Sequence, residues 1–121
     1  MEWKAIRELE DQILQLARRL GPQIAFHKLV VWHPTASEYR VERHIDTSGV
    51  KFCYTEDRPC SDDSCWYIPD LLLGDFPTGL TPARLLILAE CLLQAQEELK
   101  KLPDADQMGA MADRLKQAMH Q

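Results

Sequence analysis

The sequence lacks an apolar run long enough to cross a membrane. Its longest apolar stretch extends from Leu85 to Leu93 and is interrupted by Glu90, whereas a membrane-spanning helix needs roughly 20 apolar residues. The first residues, MEWKAIRELEDQ, carry charges throughout, where a secretory signal peptide needs an apolar run of about 7 to 15 residues. We therefore predict a cytoplasmic protein that is not inserted in a membrane.

The sequence also lacks the common motifs for nucleotide binding, zinc proteolysis and serine hydrolysis. The patterns G-x-x-x-x-G-K-[ST], G-x-G-x-x-G, H-E-x-x-H and G-x-S-x-G are all absent. Two acidic pairs, Glu56-Asp57 and Asp62-Asp63, lack the spacing and central glycine of an EF-hand calcium loop. These absences favour a protein without catalytic activity, although a catalytic site assembled from scattered residues leaves no local pattern.

The composition is that of an ordinary folded protein with an acidic excess. Of 121 residues, 45% are apolar and 27% are charged, and the net charge is −5. Residues 46–75 contain seven Asp or Glu against two Lys or Arg, which accounts for the excess. This balance argues against a nucleic-acid partner, which would require neutralisation of phosphates. The basic residues that could do so, Arg40 among them, are interleaved with acids.

The hydrophobic pattern predicts an N-terminal helix followed by an antiparallel meander. Apolar residues recur every three or four positions from Trp3 to Leu20, and Gly21-Pro22 predicts the end of this helix. Strands are predicted over 23–32, 37–46 and 50–55, with a short fourth strand over 65–68. Clustered acids, proline and glycine predict an acidic loop over 56–64 and a connector over 69–80.

Two helices are predicted after the sheet. Thr81-Pro82 predicts the start of a helix that reaches about Leu102, and Asp104 with Gln107 predicts a capped start for the last helix. That helix closes the core of its own domain or docks onto a partner or a second copy of the chain. Its apolar residues at helical spacing are Met108, Met111, Ala112, Leu115, Ala118 and Met119.

These elements predict a single α+β domain over residues 1–121. An N-terminal helix and two C-terminal helices are expected to pack on one face of a three- to four-stranded antiparallel sheet. If Ile45 pairs with Val50, Glu42 lies opposite Cys53 and His44 lies opposite Lys51. In that register His44 and Cys53 lie on the same face of the sheet.

The cysteines offer two alternatives to a pure binding role. Thiolate and imidazole are preferred zinc ligands, so the first alternative is a Cys3His zinc site formed by His44, Cys53, Cys60 and Cys65. The spacing C-x6-C-x4-C does not match the closely spaced ligand pairs of structural zinc sites. The second alternative is an enzyme that uses a Cys/His pair. We expect free thiols and no cofactor, with Cys91 a small buried side chain of a helix.

The hypothesis favoured by these arguments is a small acidic protein-binding module: an inhibitor, an adaptor or an accessory subunit. Acidic side chains would steer a basic protein partner toward the loop, and neighbouring aromatic side chains would anchor it. The acidic residues are Glu56, Asp57, Asp62 and Asp63, and the aromatic residues are Trp66 and Tyr67.

Overall fold

The computed structural model describes residues 2–43, 50–53, 65–67 and 81–121, with Glu2 and residues 65–67 described by their backbone. The elements confirm the α+β class. The predicted acidic loop over 56–64 and the connector over 69–80 lie outside the described residues. In chain order the elements are α1 (Glu2–His27), β1 (Val30–Trp32), β2 (Arg40–Arg43), β3 (Val50–Cys53), β4 (Cys65–Tyr67), α2 (Pro82–Leu99) and α3 (Ala105–Met119).

The four strands form an antiparallel meander in the order β1-β2-β3-β4. Helix α1 packs over β2 and β3, and α2 packs over β1 and β2, so both helices cover the same face. Alternate strand residues point to that face and build the core with the helices. The strands supply Val31, Val41, Val50 and Phe52, and the helices supply Ile13, Ala17, Leu20, Ile24, Leu85, Leu88, Cys91, Leu92, Ala95 and Leu99.

The predicted register between β2 and β3 is wrong by two residues. Arg40, not Glu42, lies opposite Cys53, and Glu42 lies opposite Lys51 in the place predicted for His44. A slip of two residues keeps every side chain on its original face, so alternation alone does not distinguish the two registers. The observed register places Val41 directly beside Phe52, and both side chains are completely buried.

The predicted end of the first helix at Gly21-Pro22 is also wrong, and residues 23–27 are helical instead of extended. A proline inside a helix costs about 3 kcal/mol, because it removes a hydrogen bond and crowds the preceding turn. Helix α1 continues because Ile24, which is completely buried, extends the buried face formed by Ala17 and Leu20. Burial of this face offsets the cost of Pro22.

Helix α1 ends instead in a left-handed residue. Lys28 has a φ of 52°, its N–H donates to the carbonyl of Ala25 at 3.2 Å, and the N–H of Leu29 donates to the carbonyl of Ile24 at 3.0 Å. These two bonds form a Schellman motif, which satisfies carbonyl groups in the last turn. Only residues 30–32 of the predicted first strand are therefore extended.

The predicted starts of both C-terminal helices are confirmed. The Thr81 hydroxyl accepts a hydrogen bond from the Arg84 N–H at 3.3 Å, and Asp104 and Gln107 form a capping box. Helix α2 ends at Leu99, earlier than predicted. Helix α3 buries none of its residues and therefore does not close the core. Within the described part of the chain, no helix has the length and apolarity that a bilayer span requires.

Candidate functional site

Helix α3 presents an apolar surface that its own chain leaves exposed. Met108, Met111, Leu115 and Met119 are 43%, 50%, 60% and 78% exposed. Together with the exposed Ala112 they recur every three or four positions, so they line one side of a helix about 22 Å long. We call these five residues the α3 stripe. A contiguous apolar stripe of this kind is typical of a docking surface.

A groove of about 360 Å³ opens where α3 begins, between the end of α1 and the connection from α2 to α3. Phe26, which is 58% exposed, and Leu102 contribute apolar surface to it, and Ala105 also lines it. Ala105 lies three residues before Met108 and seven before Ala112, which places it on the same side of α3 as the stripe. The groove therefore opens at the beginning of the side of α3 that carries the α3 stripe.

The charges of α3 and its cap are separated along the helix. The acidic residues Asp104, Asp106 and Asp113 precede the basic residues Arg114 and Lys116. Acids near the N-terminus and bases near the C-terminus of a helix interact favourably with the helix dipole. Asp106, Asp113 and Arg114 lie on the opposite side of the helix from the α3 stripe, so the stripe itself has Asp104 at its beginning and Lys116 beside its end.

A buried ionic cluster lies on the face of the sheet opposite α1 and α2, where alternation predicts a solvated surface. Arg40 Nε donates to Glu42 Oε2 at 3.1 Å, and Lys51 Nζ lies 3.4 Å from Glu42 Oε1. Arg40 is completely buried, and its guanidinium carbon lies 5.0 Å from the centroid of the Trp32 ring. These side chains belong to three neighbouring strands and connect them. The burial of Arg40 also removes it from the residues that could contact a phosphate.

His33 links the turn after β1 to helix α2. Its Nδ1 atom accepts hydrogen bonds from the backbone N–H groups of Thr35 at 3.2 Å and Ala36 at 2.9 Å. Its Nε2 atom is buried and lies 3.3 Å from Glu90 Oε1, without the alignment of a hydrogen bond. Because Nδ1 accepts these bonds, the proton of a neutral ring is on Nε2. These hydrogen bonds occupy the Nδ1 lone pair, which is therefore not available to a metal ion.

The structure brings together two of the four residues proposed as zinc ligands. Cys53 and Cys65 are directly opposite each other in the pairing of β3 with β4, and Cys53 is completely buried. His44 and Cys60 lie outside the described residues, so the complete set is untested. Among the side chains that the structure does describe, no three form a metal-binding group.

Cys91 occupies the position predicted for it, as a buried side chain of α2. Burial, and to a smaller extent the negative charge of Glu90, raises the pKa of the Cys91 thiol to about 12. The thiol is therefore protonated at neutral pH, whereas a nucleophilic cysteine reacts as the thiolate. This environment argues against Cys91 as the nucleophile of a Cys/His pair.

The structure describes no side chain of the residues proposed for partner binding. Glu56, Asp57, Asp62 and Asp63 lie outside the described residues. The backbone of Trp66 and Tyr67 belongs to β4, where the two residues pair with Phe52 and Lys51 respectively. The α3 stripe, in contrast, is fully described, and its five residues are among the six that the helical spacing of the sequence indicated.

Comparison of the chain with protein-family models, with curated proteins and with solved structures finds no match.

Proposed function

We propose that this chain is a small acidic protein-binding module, without catalytic activity of its own, that holds its partner at the α3 stripe. It would serve as an inhibitor, an adaptor or an accessory subunit. The observation that carries the proposal is that α3 is a capped helix with a regular apolar side and no buried residue.

Burial of the α3 stripe against a partner would contribute favourably to the free energy of binding. Complete burial of a Met or Leu side chain stabilises a protein by about 1.5–3 kcal/mol. The four large side chains of the stripe are 43–78% exposed in the chain alone, so their burial against a partner would contribute roughly 4–6 kcal/mol. Three of the four are methionines, whose flexible side chains adapt to irregular partner surfaces.

Partner steering by the acidic residues is a separate part of the proposal. Residues 46–75 carry the acidic excess of the chain, which would accelerate the approach of a basic partner. Reversal of four charges is expected to slow association and to flatten its salt dependence without unfolding the domain. The residues to change are Glu56, Asp57, Asp62 and Asp63.

Site-specific photo-crosslinking tests the docking surface. A photo-crosslinking amino acid replaces Met111 in the full chain, and the cells that produce it are irradiated. We expect a protein adduct of defined mass, whose partner is identified, purified and titrated against the chain. A Leu115→Glu substitution is expected to weaken that binding at least tenfold, because it places a charge within the apolar contact.

The matched control is Ala110, which lies one residue away but on the opposite side of α3. The same crosslinker at this position is expected to give no such adduct. Equal adducts at both positions, or no adduct at either, would contradict a binding role for the α3 stripe.

The zinc-stabilised domain is the second candidate, and the pairing of Cys53 with Cys65 favours it. Directly opposite positions on paired antiparallel strands are close enough for two ligands of one metal ion. Bound zinc would appear as an added mass in native mass spectrometry, and a chelator would lower the melting temperature. An unaltered melting temperature together with a metal-free mass would exclude this candidate.

A further inference from the structure

We infer that the partner at the α3 stripe is a second copy of this chain, paired antiparallel along α3, an inference that rests on the proposed function. In this arrangement Met108 of one copy lies against Leu115 of the other. Met119 of each copy then lies near the first residues of the other α3. That position is beside the groove lined by Phe26 and Leu102.

The charge distribution favours a second copy in this orientation. Asp104 lies at the beginning of α3 on the side of the α3 stripe, and Lys116 flanks the stripe toward its end. Antiparallel pairing places the acidic end of each helix beside the basic end of the other and opposes the two helix dipoles. Parallel pairing would place Asp104 beside Asp104 and Lys116 beside Lys116 and would align the two helix dipoles, which is unfavourable.

The groove beside the first turn of α3 supplies a position for the most exposed side chain of the α3 stripe. Met119 is 78% exposed and belongs to the last turn of α3, whereas the groove opens beside the first turn. Antiparallel pairing is the orientation that brings these two features together, and it does so twice in a symmetric dimer. The flexible side chain of methionine fits an irregular groove of this kind.

The size of the contact predicts a weak dimer. Two helices that pair along about 22 Å bury less than the roughly 1,200 Å² typical of stable complexes. The groove adds to this area at both ends. We therefore expect self-association with a dissociation constant on the order of 10 µM, visible as a mass that rises with concentration.

Sedimentation velocity over a concentration series tests whether the partner is a second copy of the chain. Wild type is expected to shift from monomer to dimer, and Leu115→Glu is expected to weaken dimerisation at least tenfold. Gln117→Glu adds the same charge on the opposite side of α3 and is expected to dimerise like wild type. Because α3 buries no residue, neither substitution threatens the core, and circular dichroism checks that both variants are folded.

Cysteine crosslinking tests the orientation. In the antiparallel register the two copies of residue 112 are adjacent, whereas the two copies of residue 119 are about 22 Å apart. Under mild oxidation, Ala112→Cys is therefore expected to form more disulfide-linked dimer than wild type. Met119→Cys is expected to form no more than wild type. Disulfides at both positions would show parallel pairing and overturn the antiparallel arrangement.

Two results would overturn the inference that the partner is a second copy of the chain. One is a wild-type chain that stays monomeric at every concentration, and the other is equal dimerisation of Leu115→Glu and Gln117→Glu. Neither result would decide the proposed function, because the Met111 crosslinking experiment detects a different protein partner directly.

Discussion

Asp104 and Gln107 exchange two hydrogen bonds across the first turn of α3. The Gln107 N–H donates to Asp104 Oδ1 at 2.8 Å, and the Asp104 N–H donates to Gln107 Oε1 at 2.7 Å. Both residues are exposed, and the helix that they begin buries no side chain. The conformation of α3 therefore depends on its own capping and, in the proposed complex, on its partner, since isolated helices of this length are marginal in water.

Removal of the cap should loosen α3 without affecting the core. Asp104→Ala eliminates the acceptor for the Gln107 N–H, which costs a helix about 1 kcal/mol. Amide hydrogen exchange over residues 105–119 is expected to accelerate roughly fivefold, while the amides of α1 and α2 keep their rates. Asp113→Ala removes the same charge without a cap and should not accelerate exchange. Faster exchange in the core amides of Asp104→Ala would show that α3 is packed on the domain after all.

Replacement of His33 should destabilise the whole domain. In His33→Ala the N–H groups of Thr35 and Ala36 lose their acceptor, and the side chain that links the turn to α2 is absent. We expect the free energy of unfolding to fall by about 2 kcal/mol in urea denaturation. Glu90→Ala removes a side chain that is 57% exposed and should change stability by less than about 0.5 kcal/mol. If both substitutions lower the free energy of unfolding equally, His33 stabilises the domain through its contact with Glu90 and not through the turn.

Substitution of Glu42 should destabilise the domain more than substitution of Lys51. Glu42→Gln leaves the completely buried Arg40 without the carboxylate that it contacts at 3.1 Å, and breaking a buried pair in this way costs about 3–5 kcal/mol. Lys51→Met preserves the contact between Arg40 and Glu42 and should cost distinctly less in the same urea titration. A stable Glu42→Gln variant would show that Arg40 does not depend on this carboxylate.

The Cys91 thiol should be unreactive in the folded chain. With a pKa raised to about 12, it is protonated at about pH 8, and its burial excludes reagent. Iodoacetamide labelling resolved by peptide mass is expected to modify Cys91 roughly 100-fold more slowly in the native chain than in urea. Rapid labelling of Cys91 in the native chain would show a reactive thiol and would make Cys91 a candidate nucleophile.

The same raised pKa predicts a loss of stability in alkali. Below the pKa of the thiol in the unfolded chain, the thiol is protonated in both the folded and the unfolded state. In this range it does not change the stability as the pH changes. Above it the unfolded chain releases the proton first, so stability falls as the pH rises toward about 12. Cys91→Ala lacks this ionisation and should show a shallower decline in the same pH titration. Parallel declines in the two proteins would contradict the burial of an un-ionised thiol.

The parts of the fold that follow from local chemistry were predictable from the sequence. Thr81 followed by Pro82, and Asp104 with Gln107, begin helices through bonds to their own neighbours, so the signal and its cause lie within four residues. The α3 stripe was predictable for the same reason, since helical spacing alone defines it. Whether that stripe is buried or exposed depends on distant residues, and the sequence left both interpretations open.

The errors arose where distant residues decide the outcome. Ile24 and Phe26 favour a strand by type, but Ile24 completes the buried face of α1 and keeps the helix intact past Pro22. The alternation of Val41 with Arg40 and Glu42 suggested one solvated face of the sheet, yet both faces are buried at these positions. Opposite charges on adjacent strands were the available signal for the ionic cluster, but their pairing required the correct register.

The most direct test of a binding role for α3 is the oxidation rate of its methionines inside the producing cell. Met111 is half exposed in the chain alone, and a Gln117→Met variant supplies a control methionine on the opposite side of the helix. Peroxide oxidation of both methionines is measured in cells and in the dilute purified variant. The quantity compared is the oxidation rate of Met111 divided by that of the control methionine. We predict that this ratio is several-fold lower in cells than in the purified variant. An unchanged ratio would mean that nothing covers the α3 stripe in the cell and would contradict the account.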